Sequence, residues 1–201
     1  MPMAFEMRDP EDTTALLRDM AKFDAVLDLS HGFDAVLSHA GFAAAAALDK
    51  PFVSFARPGW ALDDPPLWSV PDVPAAARAV PPGARIFAAT GWASLPAFLP
   101  FEGARLMLRQ TSRHDRPAPY DFVDLIFGDP PFTVAAETAL FRDLGVDLLI
   151  CRNLGGAASR PKVDAALALG LPVILIEKPR LPEGARCLTN LDAMLDWVAR
   201  L

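Results

Sequence analysis

A strand, turn, helix and strand pattern near the end of the chain constrains the fold most strongly. Residues 146–151 (VDLLIC) form a short continuous apolar run, which is typical of a buried parallel strand. Asn153 and a pair of glycines then suit a tight turn, and residues 157–169 carry apolar side chains at helical spacing. Because a second apolar run follows at residues 173–176, the segment predicts two parallel strands joined by a crossover helix.

The turn after the first of these strands is a candidate anion-binding site. In parallel α/β units such a turn lies at the carboxyl edge of the sheet, where the backbone N–H groups of a helix amino end favour anions. Arg160 and Lys162 lie in the first turns of the predicted helix, where the helix dipole disfavours cations unless a bound anion offsets the cost. A solvated basic helix start, with glycines that serve only the turn, explains the same residues equally well.

The rest of the chain repeats this alternation of strands and helices. Residues 25–29 and 51–55 predict strands that flank an alanine-rich helix at residues 34–48. Further strands and helices are predicted at residues 85–89, 92–99, 105–108, 122–127 and 132–144. The alternation is typical of the α/β fold class, here with two Rossmann-like lobes and mostly parallel sheets. Because the chain opens on a predicted helix at residues 9–22, we expect the N-terminal lobe to lack its usual first strand-turn-helix segment.

Proline marks the expected boundary between the lobes. Seven prolines lie between residues 57 and 83, and only a short helix at residues 74–80 fits among them. We therefore expect this stretch to cross from one lobe to the other, with the boundary at residues 81–83. The lobes would then cover residues 1–80 and 84–201.

Composition argues against several classes of protein. With 52% hydrophobic residues among 201, the chain can bury a core, and its net charge of -6 argues against a nucleic-acid partner held by general attraction to phosphates. The two cysteines have neither metal-ligand nor disulfide spacing, and the histidines have no third ligand type near them, so we expect no metal site. The sequence shows neither a signal peptide nor a membrane-spanning run, which indicates a cytoplasmic protein.

Two turns are candidates for binding a phosphate group. Thr90 and Gly91 follow one predicted strand, and residues 153–156 follow another strand of the same lobe. The chain has no GxGxxG motif, and glycine after a strand is common, so the residues alone favour phosphate binding only weakly.

Other residues suit a flat ligand. Arg57 lies at a predicted strand end with Trp60 three residues on, where an indole can meet a conjugated ring or pack the two lobes together. Ser30 and His31 also follow a strand, a position where binding groups of open sheets often lie. The sequence does not identify a catalytic residue.

A basic run suits an acidic ligand. It consists of Arg105, Arg109, Arg113, His114 and Arg116, with Asp115 as its only acid. Guanidinium groups match carboxylates, so the run fits a ligand with many acid groups. A solvated loop in a protein that needs some positive charge accounts for it as well.

Several stretches together resemble one family, the precorrin-6A reductases of cobalamin biosynthesis. They are DLSHGF at residues 28–33, RPGW at 57–60, IFAATGW at 86–92, DPPFTVAAETALF at 129–141, and RNLGGAASRPK at 152–162 with LGLPVILIEKP after it. The stretches occur in the family's order along nearly the whole chain, and this order and spacing carry the resemblance.

The resemblance implies a two-lobed oxidoreductase that uses NADPH to deliver a hydride to a ring double bond of a corrin precursor, with both ligands held between the lobes. The implied cofactor contacts are Thr90, Gly91, Asn153, Gly155, Gly156, Arg160 and Lys162. The implied substrate contacts, which would face a flat tetrapyrrole with many carboxylates, are Ser30, His31, Arg57 and Trp60. The presence of cobalt in the substrate, the proton donor and the oligomeric state stay open.

Three departures from the family pattern keep an alternative open. Arg152 and Leu154 replace the family's Lys and Ser before the glycine pair, and Gly32 replaces a proline after the histidine. The family's opening strand and glycine-rich turn have no counterpart before Met1. The alternative is a tetrapyrrole-binding remnant without turnover.

Overall fold

The strands form two separate sheets, and every described strand pair is parallel. These are features of a computed structural model that describes residues 6–61 and 67–201. The chain divides into a first unit, Met1–Pro58 with Pro179–Leu201, and a second unit, Gly59–Lys178. None of the described helices is both long enough and apolar enough to cross a membrane. The parallel pairing confirms the predicted α/β fold class.

The first unit contains a three-stranded sheet in the order β1-β2-β9. Its strands are β1 (Val26–Asp28), β2 (Phe52–Phe55) and β9 (Arg186–Leu188), and its helices are α1 (Thr13–Met20), α2 (Ala35–Ala47) and α6 (Leu191–Val198). Trp197 of α6 packs with Val53 and Leu188 in a small apolar core. The C-terminal segment therefore belongs to this unit because β9 pairs with β2.

The second unit contains a six-stranded sheet in the order β3-β8-β7-β4-β5-β6. Its strands are β3 (Leu67–Val70), β4 (Arg85–Ala89), β5 (Arg105–Gln110), β6 (Val123–Phe127), β7 (Leu148–Arg152) and β8 (Val173–Ile176). Its helices are α3 (Val73–Arg78), α4 (Val134–Leu144) and α5 (Pro161–Ala168), with a 3₁₀ helix at Trp92–Phe98. All four residues of β8 are buried, as expected for a central strand covered on both faces.

Local sequence signals explain where several helices begin and end. The side chains of Asp34, Thr133 and Asn190 each accept a hydrogen bond from the backbone N–H three residues on, at the starts of α2, α4 and α6. Gly145 ends α4 in the left-handed conformation, with φ of 60°. These caps fix the positions at which the chain turns back toward the sheet.

The order of the second sheet reverses between β4 and β7. Beyond β4 the sheet continues with β5 and β6, whereas on the other side, beyond β7, it continues with β8 and β3. In open parallel sheets, ligands bind in the crevice at the carboxyl ends of the strands where the order reverses. The segments that follow β4 and β7 are therefore the candidate ligand-binding segments of this sheet.

The division of the chain differs from the predicted one in its boundaries. The predicted boundary at residues 81–83 lies inside the second unit, between α3 and β4. The proline-rich stretch contains β3, which pairs with β8 and so joins the second sheet. Leu62–Pro66, the middle of the predicted crossing, lies outside the described residues.

Candidate functional site

The two candidate phosphate turns lie side by side at the point where the strand order reverses. Ala89, the last residue of β4, pairs with Cys151 in β7, so Thr90 and Arg152 leave the sheet next to each other. Gly91 has φ of 84°, and a Cβ added to it would lie 3.7 Å from Nη2 of Arg152. The guanidinium of Arg152 is therefore close to the Gly91 turn, and a larger residue at position 91 would be strained.

The Thr90 hydroxyl helps to fix the shape of the first turn. Thr90 is fully buried, and its Oγ1 lies 2.7 Å from Oγ of Ser94. The Ser94 hydroxyl in turn donates to the carbonyl of Gly91, at 2.6 Å. Thr90 thus acts on the conformation of Gly91 rather than presenting a hydroxyl at the surface.

The side chain of Asn153 joins the second turn to the start of the second unit. Its Oδ1 accepts from the backbone N–H of Trp60 at 2.7 Å, and its Nδ2 donates to the carbonyl of Trp60 at 3.2 Å. A Cβ on Gly59 would lie 3.0 to 3.1 Å from the Asn153 amide group, so the two segments approach closely. Asn153 therefore positions Trp60, and both polar atoms of its amide are hydrogen-bonded to the Trp60 backbone.

The turn between β7 and α5 presents a run of backbone N–H groups. Gly155 and Gly156 have φ of 71° and 72°, which few other residues adopt without strain. The indole N–H of Trp60 donates to the carbonyl of Gly156 at 3.0 Å. In the described part of the chain, no hydrogen bond is donated by the backbone N–H groups of residues 155–159. Such a run, just before a helix amino end, matches the geometry that binds anions.

The two cations of the helix start are engaged by the protein itself. Nε of Arg160 lies 2.6 Å from Oδ1 of Asp164, and its guanidinium lies 5.8 Å from the centre of the Trp60 ring. Nζ of Lys162 donates to the carbonyl of Ser159 at 2.7 Å, and burial lowers the pKa of this ammonium group. Both side chains stabilise the turn, and their positive charge also favours an anion held there.

Two predicted substrate contacts of the first unit, Ser30 and His31, follow β1, and the third, Arg57, follows β2. Ser38 Oγ donates to Asp28 at 2.8 Å and lies 3.1 Å from Oγ of Ser30, so the Ser30 hydroxyl belongs to a small polar network. Burial raises the pKa of Asp28, but hydrogen bonds from Ser30, Ser38 and Ser54 outweigh it and hold that pKa below its ordinary value. His31 is exposed, and its Nδ1 accepts from the backbone N–H of Phe33 at 3.3 Å. Arg57 is exposed and precedes Pro58, the residue at which the first segment of this unit ends.

Comparisons with known proteins decide the family. The family model described as "Precorrin-6x reductase CbiJ/CobK" matches residues 3–199. The chain belongs to the precorrin-6A reductase family. A precorrin-6A reductase from Rhodococcus erythropolis is 33% identical over 180 residues, which cover 89% of this chain and 72% of that protein. One from Rhodobacter capsulatus is 34% identical over 176 residues, which cover 87% of this chain and 70% of that protein.

A solved structure supports the same assignment. The structure named CobK precorrin-6A reductase matches with a TM-score of 0.89 at 30% identity, and the match covers 99% of this chain and 83% of that one. The precorrin-6A reductases are oxidoreductases, so the predicted enzyme class is confirmed at the level of the family.

Within this member of the precorrin-6A reductase family, the second unit contains all seven predicted cofactor contacts and also Trp60, a predicted substrate contact. These residues lie near the carboxyl ends of β4 and β7 in the six-stranded sheet. They are Trp60, Thr90, Gly91, Asn153, Gly155, Gly156, Arg160 and Lys162. Ser30, His31 and Arg57 lie in the first unit. The cofactor and substrate roles of these residues are predictions.

Sequence reasoning missed two features of this family member. It gives Arg152 only as the replacement of the family's Lys, whereas this guanidinium lies beside the Gly91 turn and burial lowers its pKa. It also assigned Arg109 to a polar loop, whereas Arg109 lies in β5 and forms a buried ion pair with Glu137. The sequence RLMLRQ does contain a signal, because in a strand Arg109 shares a face with the apolar Met107.

Proposed function

We propose that this chain reduces a ring double bond of precorrin-6A, or of its cobalt form, with NADPH as the hydride donor. The observation that carries the proposal is the family match over residues 3–199. The two turns that meet between β4 and β7 supply a chemically suitable anion site in the same chain. A hydride transfer needs no covalent nucleophile, so the protein's task is to bind, orient and screen the reactants.

The residues at the edge of the second sheet fit the phosphate groups of a nicotinamide nucleotide. The backbone N–H groups of residues 155–159 have no acceptor among the described residues, so they can donate to a phosphate. Gly91 has no side chain, which leaves space for a phosphate beside the Arg152 guanidinium. When bound, NADPH supplies the hydride. Arg152 would pair with a phosphate, whereas Asn153 and Thr90 would hold the two turns in shape through their bonds to Trp60 and Ser94.

The acid groups and flat ring of the substrate suit the remaining predicted contacts. The half-buried indole of Trp60 is fixed by its bond to Gly156 and by the Asn153 amide, so it presents a preorganised apolar surface. Ser30, His31 and Arg57 are proposed substrate contacts from the family resemblance. Arg57, which is exposed, is the one that can form a charge-assisted bond to a carboxylate.

The proposal is tested by mixing the purified chain with NADPH and precorrin-6A, in metal-free and cobalt forms, and following the loss of nicotinamide absorbance. We expect NADPH oxidation that depends on both the protein and the macrocycle. No oxidation with either form, under conditions in which the Rhodococcus erythropolis enzyme is active, would contradict it. Binding of the macrocycle without any oxidation would instead support a tetrapyrrole-binding protein without turnover.

A pair of variants tests the cofactor site itself. Arg152→Leu removes the cation at the Gly91 turn, whereas Arg78→Leu removes an exposed cation from the last turn of α3 and serves as the matched control. We expect the first variant to weaken NADPH binding by roughly 10- to 100-fold, since a charge-assisted bond contributes about 1.5–3 kcal/mol, and the second to leave binding unchanged. Equal affinities in both variants would place the phosphate groups elsewhere.

A further inference from the structure

His114 lies between two aromatic rings at the edge of the six-stranded sheet. Its ring centre is 5.1 Å from that of Trp92 and 5.3 Å from that of Phe127, with near-perpendicular ring planes in both pairs. Trp92 directly follows Gly91, and Phe127 is the last residue of β6. The cluster therefore lies at the carboxyl ends of the strands, the edge at which open parallel sheets bind ligands.

The histidine ring has one nitrogen engaged and one available. The backbone N–H of Arg116 donates to Nδ1 at 3.2 Å, so the neutral ring carries its proton on Nε2. Among residues 6–61 and 67–201, no hydrogen bond involves Nε2 of His114. The ring is half-buried and held by Trp92 and Phe127. It is thus a preoriented donor with no acceptor of its own.

The charges around His114 suit a ligand acceptor that is anionic. Arg113 and Arg116 lie on either side of it in an exposed loop, which also contains Asp115, and Arg113 forms an ion pair with Asp129. Arg113 lies 3.5 Å from Asp129, but both side chains are more than 70% exposed, so this ion pair is weak and easily exchanged for another. A carboxylate is therefore a suitable acceptor for the His114 N–H.

We propose that His114 and Trp92 form a subsite that binds an acid side chain of a flat conjugated ring. The Nε2–H of His114 donates to the carboxylate, and the half-buried indole of Trp92 packs against the ring that carries it. This subsite rests on the proposed function, since a tetrapyrrole with many carboxylates is a ligand of that class. His114 binds substrate in this account, because its Nδ1 accepts from the N–H of Arg116 and its Nε2–H faces the ligand carboxylate.

Two substitutions at one position separate the ligand contact from the shape of the loop. In His114→Asn the side-chain oxygen can still accept from the N–H of Arg116, but the donor at the Nε2 position is lost. In His114→Gln an amide N–H lies near the former Nε2 position. The first variant therefore keeps the loop contact and removes the ligand contact, and the second keeps the ligand contact.

The probe is uroporphyrin, a flat tetrapyrrole with carboxylate side chains, and its binding is followed by its absorbance and by quenching of tryptophan fluorescence. We expect His114→Asn to bind it roughly tenfold more weakly than the native chain and His114→Gln to recover most of the affinity. Thermal unfolding of each variant checks that the fold is retained. Trp92→Leu should reduce the quenching, and quenching equal to that of the native chain would contradict the contact between Trp92 and the ring.

Two outcomes would overturn the subsite: native affinity in His114→Asn, or no uroporphyrin binding by the native chain. Assay of the same variants with precorrin-6A and NADPH separates this inference from the proposed function. If the subsite is correct, the KM for precorrin-6A rises in His114→Asn while kcat and the affinity for NADPH stay within about twofold. Absence of NADPH oxidation by the native chain, with uroporphyrin binding intact, would remove the proposed reaction but keep the subsite.

Discussion

Nη2 of Arg109 lies 2.7 Å from Oε1 of Glu137, and the two side chains are only 8% and 3% exposed. The pair links the end of β5 to α4, and the guanidinium also lies 5.0 Å from the centre of the Phe87 ring and 4.4 Å from that of Phe132. The second carboxylate oxygen, Oε2 of Glu137, has no hydrogen-bond partner in the described residues. This is a buried charged cluster in an otherwise apolar layer.

Replacing either Arg109 or Glu137 alone should lower the free energy of unfolding strongly, whereas replacing both should lower it little. Arg109→Met leaves the Glu137 carboxylate buried and unpaired, so we expect the free energy of unfolding to fall by about 3–5 kcal/mol. Adding Glu137→Leu to that variant should restore most of the loss, because apolar residues of similar size can replace a buried ion pair. Denaturant titrations of the native chain, both single variants and the double variant measure the coupling. Additive losses would show that the two groups do not depend on each other.

Gly128 is required because the Arg109 guanidinium lies against its backbone. A Cβ at this position would clash with Nη1 of Arg109 and would lie 3.0 Å from a ring carbon of Phe132. Since the guanidinium is held by Glu137 and two rings, it cannot move away freely, and Gly128→Ala should reduce the free energy of unfolding by about 1–3 kcal/mol.

The matched control for this substitution is Gly41→Ala. Gly41 lies within α2, and its added Cβ would meet Phe52 at an ordinary 3.5 Å. Alanine is favoured over glycine in a helix by about 0.5–1 kcal/mol, so this variant should be neutral or more stable. Equal effects of the two substitutions would contradict the packing described around Arg109.

The pH dependence of stability should report on Glu137. Burial raises the pKa of Glu137 above its ordinary value of 4.5, against the opposing charges of Arg109 and Lys162. The folded state therefore binds the Glu137 proton more tightly than the unfolded state does. The contribution of Glu137 to the free energy of unfolding is fully present below pH 4.5 and is lost as the pH rises through the raised pKa.

Glu137→Gln removes this titration. We expect the native chain to lose free energy of unfolding, relative to the variant, as the pH is raised from about 4 toward neutrality. Guanidinium chloride titrations across that range give the difference directly. A difference that stays constant with pH would show that the Glu137 carboxyl titrates alike in both states.

The segment around β7 could be predicted from sequence because its signals are local. The apolar run before the turn and the run at Val173–Ile176 each predict a buried parallel strand, and the glycine pair predicts the turn between β7 and α5. Strand β3 was not predicted, because Leu67–Val70 lies among prolines and its pairing with β8 is a contact distant in sequence. The three-residue strand β9 depends in the same way on its pairing with β2.

The candidate site shows the same contrast. Glycines and cations after strands could be recognised one by one, but the sequence could not show that the Asn153 amide is occupied by the backbone of Trp60. Nor could it show that Arg109, part of an apparent surface run, points inward to a carboxylate on α4. Both contacts join segments far apart in the chain, which no local pattern records.

The bond between Asn153 and Trp60 can be tested by an isosteric change. Asn153→Asp keeps the oxygen that accepts from the Trp60 N–H but places a second oxygen against the Trp60 carbonyl. We expect the free energy of unfolding to fall by about 1–3 kcal/mol, the cost of an unpaired polar group that is partly buried. The same change at Asn190 should be nearly neutral, because Asp caps a helix as well as Asn does. Chemical denaturation of both variants decides, and a larger loss at Asn190 would contradict this account.

The most direct test of the central claim follows the hydride itself. The chain is incubated with precorrin-6A and NADPH that carries deuterium at the transferable position of the nicotinamide, and the macrocycle is examined by mass spectrometry. We expect a reduced macrocycle that contains a single deuterium, with one NADPH oxidised for each macrocycle reduced. A reduced product without deuterium, or a macrocycle that remains unreduced while the Rhodococcus erythropolis enzyme converts it, would contradict the account.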